Sequence, residues 1–112
     1  MNKKVRIIFS PEAEEVYNHL NEKASFSKNE RIILNAINKK IILIKVNIHY
    51  GKPIAKNLIP QEYKIKYGIT NLFRVELPKF WRMLYTLTNS NSEIEITAFM
   101  HRNALRKPLT LV

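Results

Sequence analysis

The chain has no cysteine and no aspartate, and only two glycines in 112 residues. Without thiols there is no disulfide framework, no thiolate nucleophile and no zinc–cysteine centre. With so few glycines there is no Gly-rich loop to wrap the phosphates of a nucleotide, which argues against a nucleotide-hydrolysing enzyme. No apolar run approaches the roughly 18–20 residues that a membrane-spanning helix needs, so no membrane partner is expected. The run VRIIF behind Lys3 and Lys4 is too short for a signal-peptide core and is soon followed by glutamates, so no targeting is expected and the compartment is taken as the cytoplasm. His19, His49 and His101 fall on three separate predicted elements without ligand-like spacing, so no metal or other cofactor is expected. No Ser-His-acid arrangement can be read either.

The missing aspartates leave nine acidic residues, all glutamate, against nineteen Lys and Arg, for a net charge of +10. Such a surface favours an anionic partner, and nucleic acid is the commonest. Lysine outnumbers arginine, which suits diffuse attraction to a phosphate backbone more than base reading. A hydrophobic fraction of 46% with 25% charged residues is ordinary for a soluble globular chain. The length predicts one domain over residues 1–112, with no linker and no internal repeat.

The stretch Leu72–Met100 carries three runs of period-two alternation separated by turn formers, the pattern of an antiparallel meander. Register follows from asking which pairing keeps each face uniform, because a one-residue slip flips every side chain. A two-residue loop, Pro78-Lys79, would set Val75 opposite Arg82, and neither loop residue is the Gly or Asn that primed turns favour. A three-residue loop, Pro78 to Phe80, sets Leu77 opposite Trp81, Val75 opposite Met83 and Phe73 opposite Tyr85. Glu76 then faces Arg82, and Arg74 faces Leu84. For the second hairpin, a loop from Thr88 to Glu93 puts Leu87 opposite Ile94, Met83 opposite Ala98 and Arg82 opposite Phe99, with His101 one diagonal step from Arg82. One sheet face is thus apolar. The other carries Arg74, Glu76, Arg82, Thr86, Thr97, Phe99 and His101, as either a solvated face with one cross-strand ion pair or an anion-binding surface with titratable groups.

Upstream, Val5–Phe9 reads as a strand. Ser10 as N-cap, Pro11 at the first helical position and Glu12, Glu14 and Glu15 in the first turn start a helix that ends near Ala24. Ser27 and Glu30 match a capping box, opening a second helix with an isoleucine stripe at Ile33, Ile37, Ile41, Ile44 and Ile48. Residues 41–50 are rich in β-branched side chains and read as strand by propensity. The unbroken stripe favours helix, with Gly51 as terminator and Pro53 beyond it. From Lys52 to Gly68 the chain is irregular. Lys52, Lys56, Lys64 and Lys66 are interleaved with Tyr63 and Tyr67, and YKIKY permits a short strand or an extended loop. That mixture suits single-stranded RNA, and equally a solvated connector. The architecture expected is α+β: a short N-terminal strand, an antiparallel helical hairpin laid on the sheet, then an antiparallel three-stranded meander.

LFRVELPKFWRMLYTL, with Leu72, Phe73, Arg74, Trp81, Arg82, Met83, Leu84 and Tyr85 in order, resembles the core hairpin of the RelE/ParE superfamily of type II toxin-antitoxin toxins. AFMHR, Ala98–Arg102, resembles the basic end of that family's third strand. The resemblance covers about thirty residues and implies a βααβββ fold. It implies a toxin that cleaves mRNA on the ribosome and so inhibits translation, with no metal. Its partner would be an antitoxin whose acidic, partly disordered segment folds on binding. The family also has branches that inhibit DNA gyrase and members that have lost activity, so a non-catalytic module binding an antitoxin or nucleic acid is the alternative. Arg82 carries over from the second-strand arginine that serves catalysis in the ribonuclease members, and His101 and Arg102 by their place after the third strand. The C-terminal tyrosine of the family is missing from Phe99 onward, and Lys64 and Lys66 sit one element earlier than the family's lysine pair.

Metal-free cleavage of RNA needs a base for the ribose 2′-hydroxyl, cations around the phosphate and an acid for the leaving 5′-oxygen. Arg82 and Arg74 suit the cationic role because guanidinium stays charged and binds phosphate through two donors. Glu76 is a candidate base, and His101 a candidate acid or base because imidazole titrates near neutrality. The expected RNA-binding residues are Lys52, Lys56, Lys64, Lys66, Arg102 and Arg106.

Overall fold

The computed structural model describes residues 4–89 and 93–102. Among these, the elements in chain order are β1 (Lys4–Phe9), α1 (Pro11–Lys23), α2 (Lys28–Val46), β2 (Lys52–Pro53), a 3₁₀ turn at Lys56–Leu58, α3 (Gln61–Tyr67), β3 (Phe73–Glu76), β4 (Trp81–Asn89) and β5 (Glu93–Arg102). The class is α+β. The strands form one five-stranded mixed sheet in the order β1-β5-β4-β3-β2. The meander expected from the sequence is its centre. The N-terminal strand, whose partner alternation does not reveal, pairs parallel to β5 at one edge, and the two-residue β2 pairs antiparallel to β3 at the other. No described helix is long and apolar enough to cross a membrane.

The helix starts follow their cap chemistry. Ser10 Oγ accepts from the Ala13 N–H at 3.1 Å, and the Ser10 N–H donates to Ala98 O at 3.0 Å, so one buried residue both caps α1 and pins it to β5. At α2 the capping box is only partly made: the Ser27 hydroxyl donates to the Glu30 carboxylate and does not accept from the backbone. This holds the Glu30 carboxyl below its ordinary value. Residues 41–46 are helical, settling the helix-or-strand question there, but Gly51 does not end the helix. Asn47 does, turning extended, with its side-chain Oδ1 taking the His49 N–H at 3.1 Å.

The first hairpin has the expected register: Phe73–Tyr85, Arg74–Leu84, Val75–Met83 and Glu76–Arg82. Its loop is Pro78–Phe80, with Leu77 N–H donating to Trp81 O at 3.0 Å and Trp81 N–H to Pro78 O at 3.3 Å. Lys79 and Phe80 both sit at positive φ, 61° and 66°, the pairing of signs seen in primed turns. Neither is the Gly or Asn that such a turn favours, and each residue held there costs about 1–2 kcal/mol. The second hairpin differs from expectation by two residues: Leu87 lies opposite Ile96, not Ile94, and Arg82 opposite His101, not Phe99. β4 runs on to Asn89 and β5 begins at Glu93, so the connection is three residues rather than six. A two-residue shift preserves the faces, which is why alternation alone did not detect it.

The apolar face packs under α1 and α2. Val75, Met83, Tyr85, Ile96 and Ala98 meet Ala13, Leu20, Ile33, Ile37 and Ile44, with Val16, Ile41, Phe73, Trp81 and Ile94 at the margin. Tyr85 is fully buried, and burial raises its phenol pKa. Its hydroxyl donates to Ile48 O at 2.9 Å and accepts from the Gly51 N–H at 2.8 Å. That pins the loop after α2. Gly51 is needed there, because a Cβ would lie 2.9 Å from the Tyr85 ring and 3.0 Å from Arg74 O.

The opposite face is not a solvated one. Ile59, Tyr63, Ile69 and Leu72 cover Leu84, which is fully buried, in a second apolar cluster. The cover is α3 together with its two flanks, and α3 is a helix where a strand or loop was expected over Tyr63–Tyr67. Tyr63 and Tyr67, four apart, share a helix face and meet edge to face at 5.9 Å. Pro60 precedes the first turn, and Gly68 ends the helix in the left-handed region at φ 63°. Beside this cluster, Asn71 stands in for a missing strand residue. Its Oδ1 accepts from the Leu87 N–H at 2.8 Å and its Nδ2 donates to Leu87 O at 3.1 Å. Buried Thr86 is satisfied by donating to Asn71 O at 2.7 Å.

Candidate functional site

Alternation places Arg74, Glu76 and Arg82 on the second face, and the register brings them together. Arg74 Nε lies 3.3 Å from Glu76 Oε2, and Arg82 Nε lies 3.8 Å from the same oxygen. One carboxylate therefore serves two guanidinium groups. The three differ in exposure: the side chain of Glu76 is 63% exposed, that of Arg74 23% and that of Arg82 9%. Among the described residues Arg82 Nε is buried without a hydrogen-bond partner, its 3.8 Å approach to Glu76 being too long for one. A buried, charged donor left unmade costs about 1–3 kcal/mol or more. The β4–β5 register puts the His101 backbone directly opposite Arg82 and the Arg102 backbone opposite Trp81.

The expected RNA-binding lysines do not form one tract. Lys52 is the cross-strand neighbour of Arg74 and adjoins the Arg–Glu–Arg group. Lys56 is exposed in the 3₁₀ turn. Lys64 and Lys66 are on α3 rather than on a strand, and both are exposed. Lys66 is engaged: its Nζ lies 2.8 Å from Glu12 Oε2, while the Tyr67 hydroxyl donates to Glu12 Oε1 at 2.9 Å. The Lys66 hydrogen bond, with those from the Glu12 N–H and Tyr67, lowers the Glu12 carboxyl from its ordinary 4.5 to about 2. This exposed clasp ties α3 to the start of α1. Arg106 lies outside the described residues.

Sequence reading missed the helical nature of α3 and the buried state of Arg82. The first had a signal: Pro60 and Gly68 bracket a segment with Tyr63 and Tyr67 four apart. The second had none in the hairpin, because what covers a strand face comes from elsewhere in the chain. Among the described residues no group of three or more His, Cys, Asp or Glu is placed to hold a metal ion. Comparison of the chain with protein-family models, curated proteins and solved structures gave no match.

Proposed function

We propose that this chain is a RelE-like toxin of a type II toxin-antitoxin system that cleaves mRNA on the ribosome without a metal ion. The observation that carries the reading is the Arg74–Glu76–Arg82 group, in which a buried Arg82 keeps an Nε donor without an acceptor among the described residues. A phosphodiester oxygen would supply that acceptor and would face a cation that cannot lose its proton. The chain order supports the same reading: a strand, two helices, then three consecutive antiparallel strands. The inserted β2 and α3 are a departure from the βααβββ pattern.

In this chemistry the ribose 2′-oxygen attacks the adjacent phosphorus and the bond to the 5′-oxygen breaks, leaving a 2′,3′-cyclic phosphate and a 5′-hydroxyl. Arg82 and Arg74 hold the phosphate as negative charge builds. Glu76 takes the 2′-hydroxyl proton once a phosphate oxygen has replaced it at Arg82. His101, whose backbone is opposite Arg82, gives a proton to the leaving oxygen. A cognate antitoxin with an acidic segment complements the +10 charge and competes with RNA.

A second reading has its own support. α3 and its flanks cover Leu84 in the middle of the same face, which suits a non-catalytic module that binds an antitoxin or nucleic acid. Mapping cut sites in cellular mRNA on induction of the wild type, Arg82→Ala and His101→Ala separates the two. The nuclease reading expects growth arrest and cuts with the wild type, and neither with Arg82→Ala at unchanged circular dichroism. It expects slower cleavage and an altered pH profile with His101→Ala. A wild type that makes no cuts would leave the binding-module reading standing.

A further inference from the structure

At the sheet edge beside Arg74 the short β2 leaves a hollow of about 350 Å³, lined by Lys40, Tyr50, Gly51, Lys52, Arg74 and Glu76. Three cations face one carboxylate there, and that carboxylate is engaged by Arg74 at 3.3 Å. We infer that this notch holds one nucleotide of a single-stranded RNA, its phosphate against Lys40 and Lys52 and its base on the ring of Tyr50. The identification of the anion as RNA rests on the function proposed above. The notch itself rests on geometry.

Lys40 Nζ donates to Tyr50 Oη at 3.0 Å and lies 5.3 Å from the ring centroid. The ammonium therefore sits by the hydroxyl end of the ring, so a stacked base and a bound phosphate would use different surfaces. The Tyr50 residue is 38% exposed, although it is a large apolar group. Aromatic stacking with adjacent cations is the usual means of holding single-stranded nucleic acid without sequence preference. The wall is held on two sides: Gly51 N–H donates to Tyr85 Oη, and Lys52 is paired in register with Arg74. Because Arg74 belongs both to the notch and to the Arg74–Glu76–Arg82 group, the bound nucleotide would neighbour the phosphate held by Arg82.

The test is a titration of the whole chain with adenosine 5′-monophosphate, followed by backbone amide chemical shifts, with adenosine, inorganic phosphate and a poly-glutamate peptide as comparison probes. The nucleotide should shift the amides of Tyr50, Gly51 and Lys52 in a saturable way, and adenosine or phosphate alone should bind more weakly. Tyr50→Ala should weaken binding about fivefold or more, the size of a lost stacking contact. Lys40→Gln should weaken it as well, whereas Lys39→Gln, which removes the same charge from an exposed position on the same helix, should not. Equal weakening by Lys39→Gln would reduce the notch to diffuse charge, and shifts caused by poly-glutamate but not by the nucleotide would assign it to an acidic protein; either overturns the inference. A chain that cuts mRNA but shows no nucleotide shifts at Tyr50–Lys52 would refute the notch alone. A chain that binds the nucleotide there yet makes no cuts would refute the nuclease reading and keep the notch.

Discussion

The two faces of the sheet are built from the same strands and solve opposite problems. Under α1 and α2, Val75, Met83, Tyr85, Ile96 and Ala98 form an apolar layer in which the one polar atom of a large side chain, Tyr85 Oη, has two partners. On the other face the buried residues of β4 alternate in kind as well: Arg82, then Leu84, then Thr86. Leu84 is covered by Tyr63 of α3 with Ile59, Ile69 and Leu72 from its flanks, Thr86 is satisfied by Asn71, and Arg82 retains a donor without an acceptor among the described residues. Among the described residues, no buried side-chain polar atom of the first face lacks a partner, and on the second Arg82 Nε does. On the function proposed above, a phosphate oxygen completes that donor.

Met83 and Leu84 stand at the centres of the two faces, both fully buried. Met83→Ala and Leu84→Ala should each destabilise by about 2–5 kcal/mol in urea unfolding, since both side chains are fully buried. A loss at Leu84 below about 0.5 kcal/mol, the size of an ordinary surface substitution, would mean that α3 does not cover the second face in solution. Tyr85→Phe should cost about 1–3 kcal/mol, because it leaves the Gly51 N–H and Ile48 carbonyl without their partner. The clasp that holds α3 gives a smaller, pH-dependent effect. The Glu12 carboxyl is depressed from 4.5 to about 2, so its stabilisation is present above about 4.5 and is lost as pH falls toward 2. Glu12→Gln should flatten that part of the acid-stability curve, and an unchanged curve would show the clasp to be absent. Smallest of all, Phe80→Gly should raise stability by a few tenths of a kcal/mol, as glycine takes a positive φ without strain but loses more chain entropy on folding.

The first face was legible because burial against helices is written in two periods at once, alternation in the strands and the isoleucine stripe in α2. The register of the first hairpin was legible because a one-residue error would have mixed Val75 with Arg82. The second register was not, because a two-residue error leaves every face intact and only the loop length tells the difference. The second face was read as open because Arg74, Glu76 and Arg82 are charged. What buries Leu84 is a segment built around a helix whose tyrosines, Tyr63 and Tyr67, look like a strand's alternation when counted by twos and like a helix face when counted by fours. The meeting of Arg74, Glu76 and Arg82 needed only the correct loop, so the core of the candidate site could be drawn from sequence. The burial of Arg82 could not.

The most direct measurement is the rate of mRNA cleavage on purified, programmed ribosomes in the presence of a chelator, with thermal unfolding recorded on the same samples for the wild type, Arg82→Ala and Arg82→Lys. Loss of a cation that stabilises the transition state predicts a fall of about a hundredfold to a thousandfold for Arg82→Ala with little change in stability. Arg82→Lys should recover only part of the rate, since it keeps the charge but loses the two-donor fork. Equal rates for the wild type and Arg82→Ala, or no cleavage by the wild type, would contradict the assignment of Arg82 to the reacting phosphate.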